Sequence, residues 1–293
     1  MLVASTLAFF IANLSGDPTI QMLGFSASPD QVAELRAQLG FDRPLVNQYL
    51  SFISDIVRGD LGTSLFSGES NLSLISSRIW ASAQLALLAI CLGILVGLPL
   101  GVFAASREGK FGDRVASALA IFGQSIPVFW LGLMFVLFFS IKLEWLPAGL
   151  TGGWEYLVLP AITLSTIPMA RIARLTRASM TGALEEQYIT AARARGLSSR
   201  RILYVHALRN ASLPVITIIG LQMGTLFSGA ITVETVFAWP GLGTLAIQAV
   251  RARDLTLVQA LVVFGALVFV VINTIIELLY GVLDPRVKES QLR

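Results

Sequence analysis

Residues Glu185–Pro214 read EEQYITAARARGLSSRRILYVHALRNASLP, a long, polar and strongly basic stretch in an otherwise apolar second half of the chain. Glu185 to Arg195 is rich in Ala, Arg, Glu and Gln, which favour a helix, and Gly196 stands where a left-handed cap would end it. The composition predicts a short surface helix there. A second helical run is expected from Ser198, as N-cap, to Asn210, carrying apolar Ile202, Leu203, Val205 and Leu208 and stopping before Leu213-Pro214 re-enters an apolar segment. The two runs form a helical elbow between membrane spans, placed to be read by something outside the membrane.

Working outward from that elbow, the 293 residues are 55% hydrophobic and only 13% charged, about half the charge of a soluble domain, with a mean hydropathy of +0.75. This is the composition of a polytopic membrane protein. Windows of about 20 apolar residues, enough to cross a hydrocarbon core of about 30 Å, fall in 79–106, 115–141, 210–233 and 255–283. A shorter stretch at 156–176 counts as a fifth span, because Arg171, Arg174 and Arg177 can snorkel from a helix end that projects into the cytoplasm.

Orientation follows from the basic residues. Loops 106–114 and 171–212 and the tail 284–293 hold fourteen Lys and Arg; the alternate set (15–78, 142–155 and 234–254) holds seven, against eleven acids. The excess of Lys and Arg marks the first set as cytoplasmic, including the elbow.

The order Ala191-Ala192, Gly196, Leu213-Pro214 resembles the "EAA" loop of ABC-importer permeases. Thr190 stands where the general pattern has Glu, and the gap from Gly196 to Leu213-Pro214 is longer than in many importers. Both departures resemble the peptide/nickel branch, whose loop reads much like T-A-R-A-x-G-L followed by H-A-L-R-N-x-x-L-P. The resemblance implies that 177–212 is a coupling loop docking into a groove on a cytoplasmic ATPase subunit. Its contact residues would be Glu186, Tyr188, Ala191, Ala192, Arg195, Gly196, Leu197, His206, Arg209, Asn210 and Pro214.

The first fourteen residues are apolar, yet at 1.5 Å per residue they reach only about 20 Å, a shortened first span. Gly16-Asp17-Pro18 after it resembles the GDP that follows the first span of this family. Either the start codon is assigned too far downstream or the first helix is short. Residues 15–78 form an external segment with helical signals of its own. One helix opens at Ser28-Pro29, presents Val32, Leu35 and Leu39 on one face and closes at Gly40; another carries Leu45, Tyr49, Phe52, Ile53 and Ile56 and closes at Gly59. The following Gly-Asp-Leu-Gly-Thr-Ser, 59–64, again resembles the family. The segment either caps the spans or receives a binding protein.

Inside the membrane, Gly93, Gly97 and Gly101 form a stripe that lets another backbone approach, and Gly220 and Gly224 repeat it. The partner helix could lie in this chain or in a second permease subunit. Pro99, Pro127, Pro160 and Pro168 interrupt the spans. Polar side chains at depth are Gln84, Gln124, Ser125, Thr163, Ser165, Gln222, Ser228, Asn273 and Glu277, with Glu277 the one expected to carry charge. Lone Glu277, near a cytoplasmic end, argues against a self-contained secondary transporter with a proton or sodium relay. A cargo path lined by uncharged Gln124, Ser125, Gln222 and Met223 is expected.

His206 is the one histidine and Cys91 the one cysteine, so no metal cluster can be assembled, and no G-x-x-x-x-G-K-[ST] is present to bind ATP. The chain is read as not an enzyme, with no cofactor and no nucleic acid. Gly241-Leu242-Gly243-Thr244-Leu245-Ala246, after a strand-like Ala230–Phe237, mimics a dinucleotide fingerprint but has no acid about 20 positions on. The run Trp239-Pro240-Gly241-Leu242-Gly243 instead resembles the family's external W-P-G-L-G loop, bordering the mouth of the pathway. Leu283-Asp284-Pro285-Arg286 resembles its closing L-D-P-R.

The expectation is therefore an all-α, polytopic type I ABC-importer transmembrane domain: partial helix 1–14, external segment 15–78, transmembrane domain 79–283 with five full spans, and cytoplasmic tail 284–293. The resemblance implies a bacterial inner-membrane permease subunit. Its partners would be a second permease, two cytoplasmic ATP-binding subunits and an extracytoplasmic solute-binding protein. Cargo would be di- or oligopeptides, with nickel chelates, glutathione-like peptides and opines or sugars as alternatives.

Overall fold

Helix stops are written into the chain as glycines and prolines, and the architecture follows them. The computed structural model describes residues 2–14, 19, 23, 28–38, 40–150 and 152–283. Among these the regular elements are all helical, and strand-type pairing is limited to one antiparallel bridge, Thr63 to Ser70. In order they are α1 (Leu2–Leu14), α2 (Pro29–Gln38), α3 (Leu45–Val57), α4 (Asn71–Ser106), α5 (Phe111–Ser125) and α6 (Val128–Phe135, continuing as a π-helix over Val136–Lys142). Then come α7 (Glu155–Glu185), α8 (Gln187–Ala194), α9 (Leu208–Val236), α10 (Leu242–Ala252) and α11 (Leu255–Leu283). Among the described residues four helical stretches are long and apolar enough to cross a membrane, Asn71–Ser106, Glu155–Glu185, Ser199–Gly224 and Leu255–Ile276, and the bent pair Phe111–Ser125 and Val128–Lys142 makes a fifth if it is one span.

The span expected at 115–141, with Pro127 interrupting it, is two helices. α5 and α6 meet at 95°, because Ile126 (φ −77°, ψ 126°) and Pro127 (φ −58°, ψ 127°) are both extended. A proline ring clashes with helical geometry at the preceding residue, so the turn is lost at Ile126 as well as at Pro127. The opposite correction applies at Leu213-Pro214, where a break was expected. The helix entered at Ser199–Arg201 winds through a π-helical Ile202–Ala207 and continues through Pro214 to Val236. Pro214 removes one ladder donor, and both it and Asn210, whose carbonyl loses that donor, are exposed.

The chain divides into two compact units, 1–81 with 240–270 and 82–239 with 271–293. In the first, α2 opens on a reciprocal cap: Gln31 N donates to Ser28 Oγ (3.3 Å), and Ser28 N donates to Gln31 Oε1 (3.0 Å). Gly40 (φ +74°) and Gly59 (φ +81°) follow α2 and α3 in the left-handed region. α3 packs on α1 through Phe9, whose ring lies 5.4 Å from Tyr49 and 5.6 Å from Phe52, and through the 2.8 Å Thr6–Tyr49 hydroxyl bond. Asp254, 2% exposed before α11, caps that helix at Leu257 N and accepts from Ser64 Oγ and Leu65 N. It thereby clasps the loop after α3 to the start of α11. The Gly16-Asp17-Pro18 and 284–293 expectations lie outside the described residues.

In the second unit the glycine stripe lies against α7 of the same chain. A Cβ at Gly97 would stand 2.6 Å from the Met169 carbonyl oxygen, and one at Gly101 2.5 Å from both the Ala173 oxygen and Thr176 Cβ. One at Gly220 would meet Ile276 of α11 at 2.8 Å. These stripes are intrachain packing surfaces, which the spacing alone left open.

Candidate functional site

α7 ends at Glu185, a single extended residue, Glu186 (φ −66°, ψ 149°), turns the chain, and α8 begins at Gln187. α8 closes on a Schellman motif: Leu197 N donates to Ala192 O (3.3 Å), Gly196 N to Arg193 O (2.9 Å), and Gly196 sits at φ +73°. Ile189 (0% exposed) and Ala192 (7%), three residues apart, face inward. They join Val102 and Ala105 from the end of α4, Met180 of α7, Ile202 and Ala207 of the π-helical segment and Ala211 of α9 in one apolar cluster, against which Leu197 also packs. Short α8 is thus seated on the ends of three long helices.

The eleven residues expected to contact a partner divide by face. Glu186, Tyr188, Ala191, Arg195, Gly196, Arg209, Asn210 and Pro214 are exposed; Ala192 is buried, and Leu197 and His206 are half-buried. His206 Nε2 is enclosed without a hydrogen-bond partner among the described residues. Ser198 occupies the N-cap position ahead of Ser199, but its side chain makes no capping bond; its carbonyl accepts from Ile202 N at 3.0 Å.

Beside the elbow, Arg177 of α7 grips Asp113 of α5 with both arms of its fork, Nε to Oδ1 and Nη2 to Oδ2 (2.7 Å). Asp113 precedes the apolar part of α5, is 3% exposed, and also accepts from Gly109 N (3.0 Å) and Ser117 Oγ (3.3 Å). The Arg177 hydrogen bonds hold the Asp113 carboxyl well below the usual carboxylate range against the opposing effect of burial, with Gly109 N–H assisting.

The polar groups expected along the pathway are dispersed. Gln124 is half-buried just before the α5–α6 bend, and exposed Ser125 turns its hydroxyl back to Ile121 O (2.9 Å). Met223 is half-buried, but Gln222 is only 1% exposed, and its Oε1 accepts from Arg171 Nη1 at 2.7 Å. That is a helix-to-helix bond between α9 and α7. Thr163 and Ser165 donate to carbonyls of their own helix, Leu159 O and Ile162 O.

A second departure is Glu234. It follows the predicted span that stops at 233, yet it lies within α9, is fully buried and accepts from Ser82 Oγ at 2.5 Å. Its own carbonyl accepts from Trp239 N (2.8 Å). The expected mouth residues are enclosed within the chain: Trp239 is 5% exposed, Gly241 and Gly243 are buried and Pro240 is half-buried. The decoy fingerprint dissolves, since Ala230–Val236 is helical and Leu242 begins α10 with Gly241 as its N-cap.

Comparison with known proteins places this architecture. Residues 97–289 match the family described as "Binding-protein-dependent transport system inner membrane component", and residues 1–70 match its N-terminal companion. The chain is 40% identical to the Escherichia coli K12 dipeptide transport system permease protein DppB, over 96% of this chain and 93% of that one. It is 37% identical to the E. coli K12 glutathione transport system permease protein GsiC, over 98% and 94%. Among solved structures, an inward-facing MetNI methionine ABC transporter chain superposes with a TM-score of 0.62 at 19% identity, covering 72% of this chain and 96% of that one. A chain of an amino acid ABC transporter gives 0.57 at 17%, covering 71% and 93%. The helical fold is therefore that of ABC-importer membrane subunits, and the chain belongs to the binding-protein-dependent transport system inner membrane component family.

Proposed function

We propose that this chain is one of two membrane subunits enclosing the translocation pathway of an ATP-driven importer for short peptides. The observation that carries the cargo is the near-full-length similarity to a dipeptide permease. A glutathione-like cargo is the second reading, supported by the 37% identity to GsiC; glutathione is itself a small peptide, so both readings share one cargo class.

The elbow 177–212 is the coupling element in this reading. The exposed face of α8, with Tyr188, Ala191, Arg195 and Gly196, docks on a cytoplasmic ATP-binding subunit, while Ile189 and Ala192 root the helix in the cluster shared by α4, α7 and α9. A force on α8 then moves three packed helices together rather than a loose loop. The first unit, with its clasped loop after α3, faces the extracytoplasmic binding protein, and Gln124, Ser125 and Met223 border the path. The chain supplies no ATP site of its own; two partner subunits supply the energy.

The test is reconstitution of the permease pair, the ATP-binding pair and the binding protein from neighbouring reading frames into liposomes. ATP-dependent uptake of a labelled dipeptide is expected, with competition by glutathione. A binding protein that retained a nickel chelate and no peptide would overturn the cargo assignment.

A further inference from the structure

Arg171 is the seventeenth residue of the 31-residue α7. Its partner Gln222 is the midpoint of α9, fourteen residues or about 21 Å from Leu208 and from Val236. The 2.7 Å bond between them places the guanidinium about halfway along both helices, inside the helix bundle rather than at a helix end. α7 is also the most enclosed of the candidate spans, with 56% of its apolar window buried against 39%, 22% and 17% for the others. A cation at such depth costs at least about 2.5–3.5 kcal/mol in hydrocarbon, so it faces the bundle interior or a hydrated cavity.

Arg171 spends little of its capacity within the chain. Gln222 is a neutral amide and takes one donor of Nη1; Nε and Nη2 have no partner among the described residues, and the side chain is only half-buried. Among the described residues no acid pairs with it, in contrast to Arg177, whose fork is filled by Asp113. Nε–H and Nη2–H lie in one plane and point the same way, the spacing that a carboxylate accepts with both oxygens.

We propose that Arg171, oriented by Gln222, is the point in the translocation pathway that receives the α-carboxylate of the peptide cargo. The assignment rests on the peptide reading above. It replaces the expected wall of neutral groups with one cation among them, and it makes Gln222 a positioning residue that holds the fork open to the path. Because the holder is an amide rather than an acid, the full charge stays available. A single contact in a hydrated path also releases its ligand readily, as passage requires.

The experiment uses the full reconstituted complex with its binding protein and labelled alanyl-alanine. Arg171→Gln can still donate an amide N–H hydrogen bond to Gln222 Oε1 but carries no charge, so uptake per folded complex is expected to fall about tenfold or more while the melting temperature stays near wild type. Arg171→Lys, which restores charge without the fork, is expected to recover part of the uptake, about threefold or more above Gln and below wild type. Wild-type uptake by Arg171→Gln would overturn the proposal. So would a loss that simply tracked the loss of folded complex, or a Lys variant as inactive as Gln. A wild-type complex that moved other cargo but no dipeptide would overturn the peptide reading first, and the carboxylate assignment with it.

Discussion

Single atoms decide how closely α4 and α7 approach. A methyl group at Gly97 or Gly101 would enter the space of a backbone oxygen, whereas one at Gly93 meets its nearest atoms at 3.3 Å and one at Gly123 meets nothing within 4 Å. Gly97→Ala and Gly101→Ala are therefore each expected to destabilise the folded permease by about 1–3 kcal/mol, Gly93→Ala by less, and Gly123→Ala not at all. Thermal melting in detergent orders the four; a Gly101→Ala protein as stable as Gly123→Ala would refute the packing account. This scale was only partly open to sequence reading. Spacing revealed the glycine stripe but not its partner, and nothing local announced that Arg171 bonds Gln222, 51 residues further along the chain. Glu234 escaped because hydropathy ends a span at the first acidic residue, while the Ser82 hydroxyl gives that carboxyl a hydrogen-bond partner inside the bundle.

At the scale of elements, α8 presents two adjacent alanines with opposite surroundings. Ala191 is exposed and Ala192 is buried in the cluster with Val102, Met180 and Ile202. Ala191→Arg is expected to leave the permease folded and to weaken binding of the ATP-binding subunit, measured by co-purification and by stimulated ATPase activity. Ala192→Arg would bury an unpaired cation and is expected to lower the melting temperature before any docking defect can be read. The Asp113–Arg177 pair joins α5 to α7 on the same side. Since Arg177 lowers the folded-state pKa of Asp113, its stabilisation is present above the unfolded pKa and is lost only as pH falls through the lowered value. Asp113→Asn should therefore melt several degrees below wild type at pH 8, and the gap should persist undiminished at pH 5. A gap that closed by pH 5 would mean that burial raises the Asp113 carboxyl above the usual carboxylate range instead of Arg177 lowering it. The elements themselves were the most legible part of the chain: Gly40, Gly59 and Gly196 all end helices with positive φ where the sequence places them. The junctions were less so. Pro127 turns the path by 95° while Pro214 leaves its helix running on, because at Pro127 the preceding residue also leaves the helix and at Pro214 it does not.

For the whole molecule, the charge distribution predicts a sidedness. Leaving aside Arg171, which bonds Gln222 inside the bundle, the segments 106–114, 172–212 and 284–293 hold thirteen Lys and Arg against seven in the alternate set, and positive charge near span ends is retained on the cytoplasmic side. Ser70, exposed at the start of α4, should then face outward and Ser199, exposed after the Gly196 turn, inward. The native Cys91 is itself exposed on α4 and must first be replaced by Ser, so that any label reports the introduced site. In that background, Ser70→Cys in intact cells stripped of their outer membrane is expected to react with a membrane-impermeant maleimide. Ser199→Cys should react only after the inner membrane is opened. With the ATP-binding subunits present, labelling at Ser199 in opened membranes should fall relative to the permease alone, because the docked subunit covers the elbow. Labelling of Ser199→Cys from outside, with Ser70→Cys protected, would invert the topology. The coupling role of α8 would fall with it, since ATP is hydrolysed on the cytoplasmic side alone.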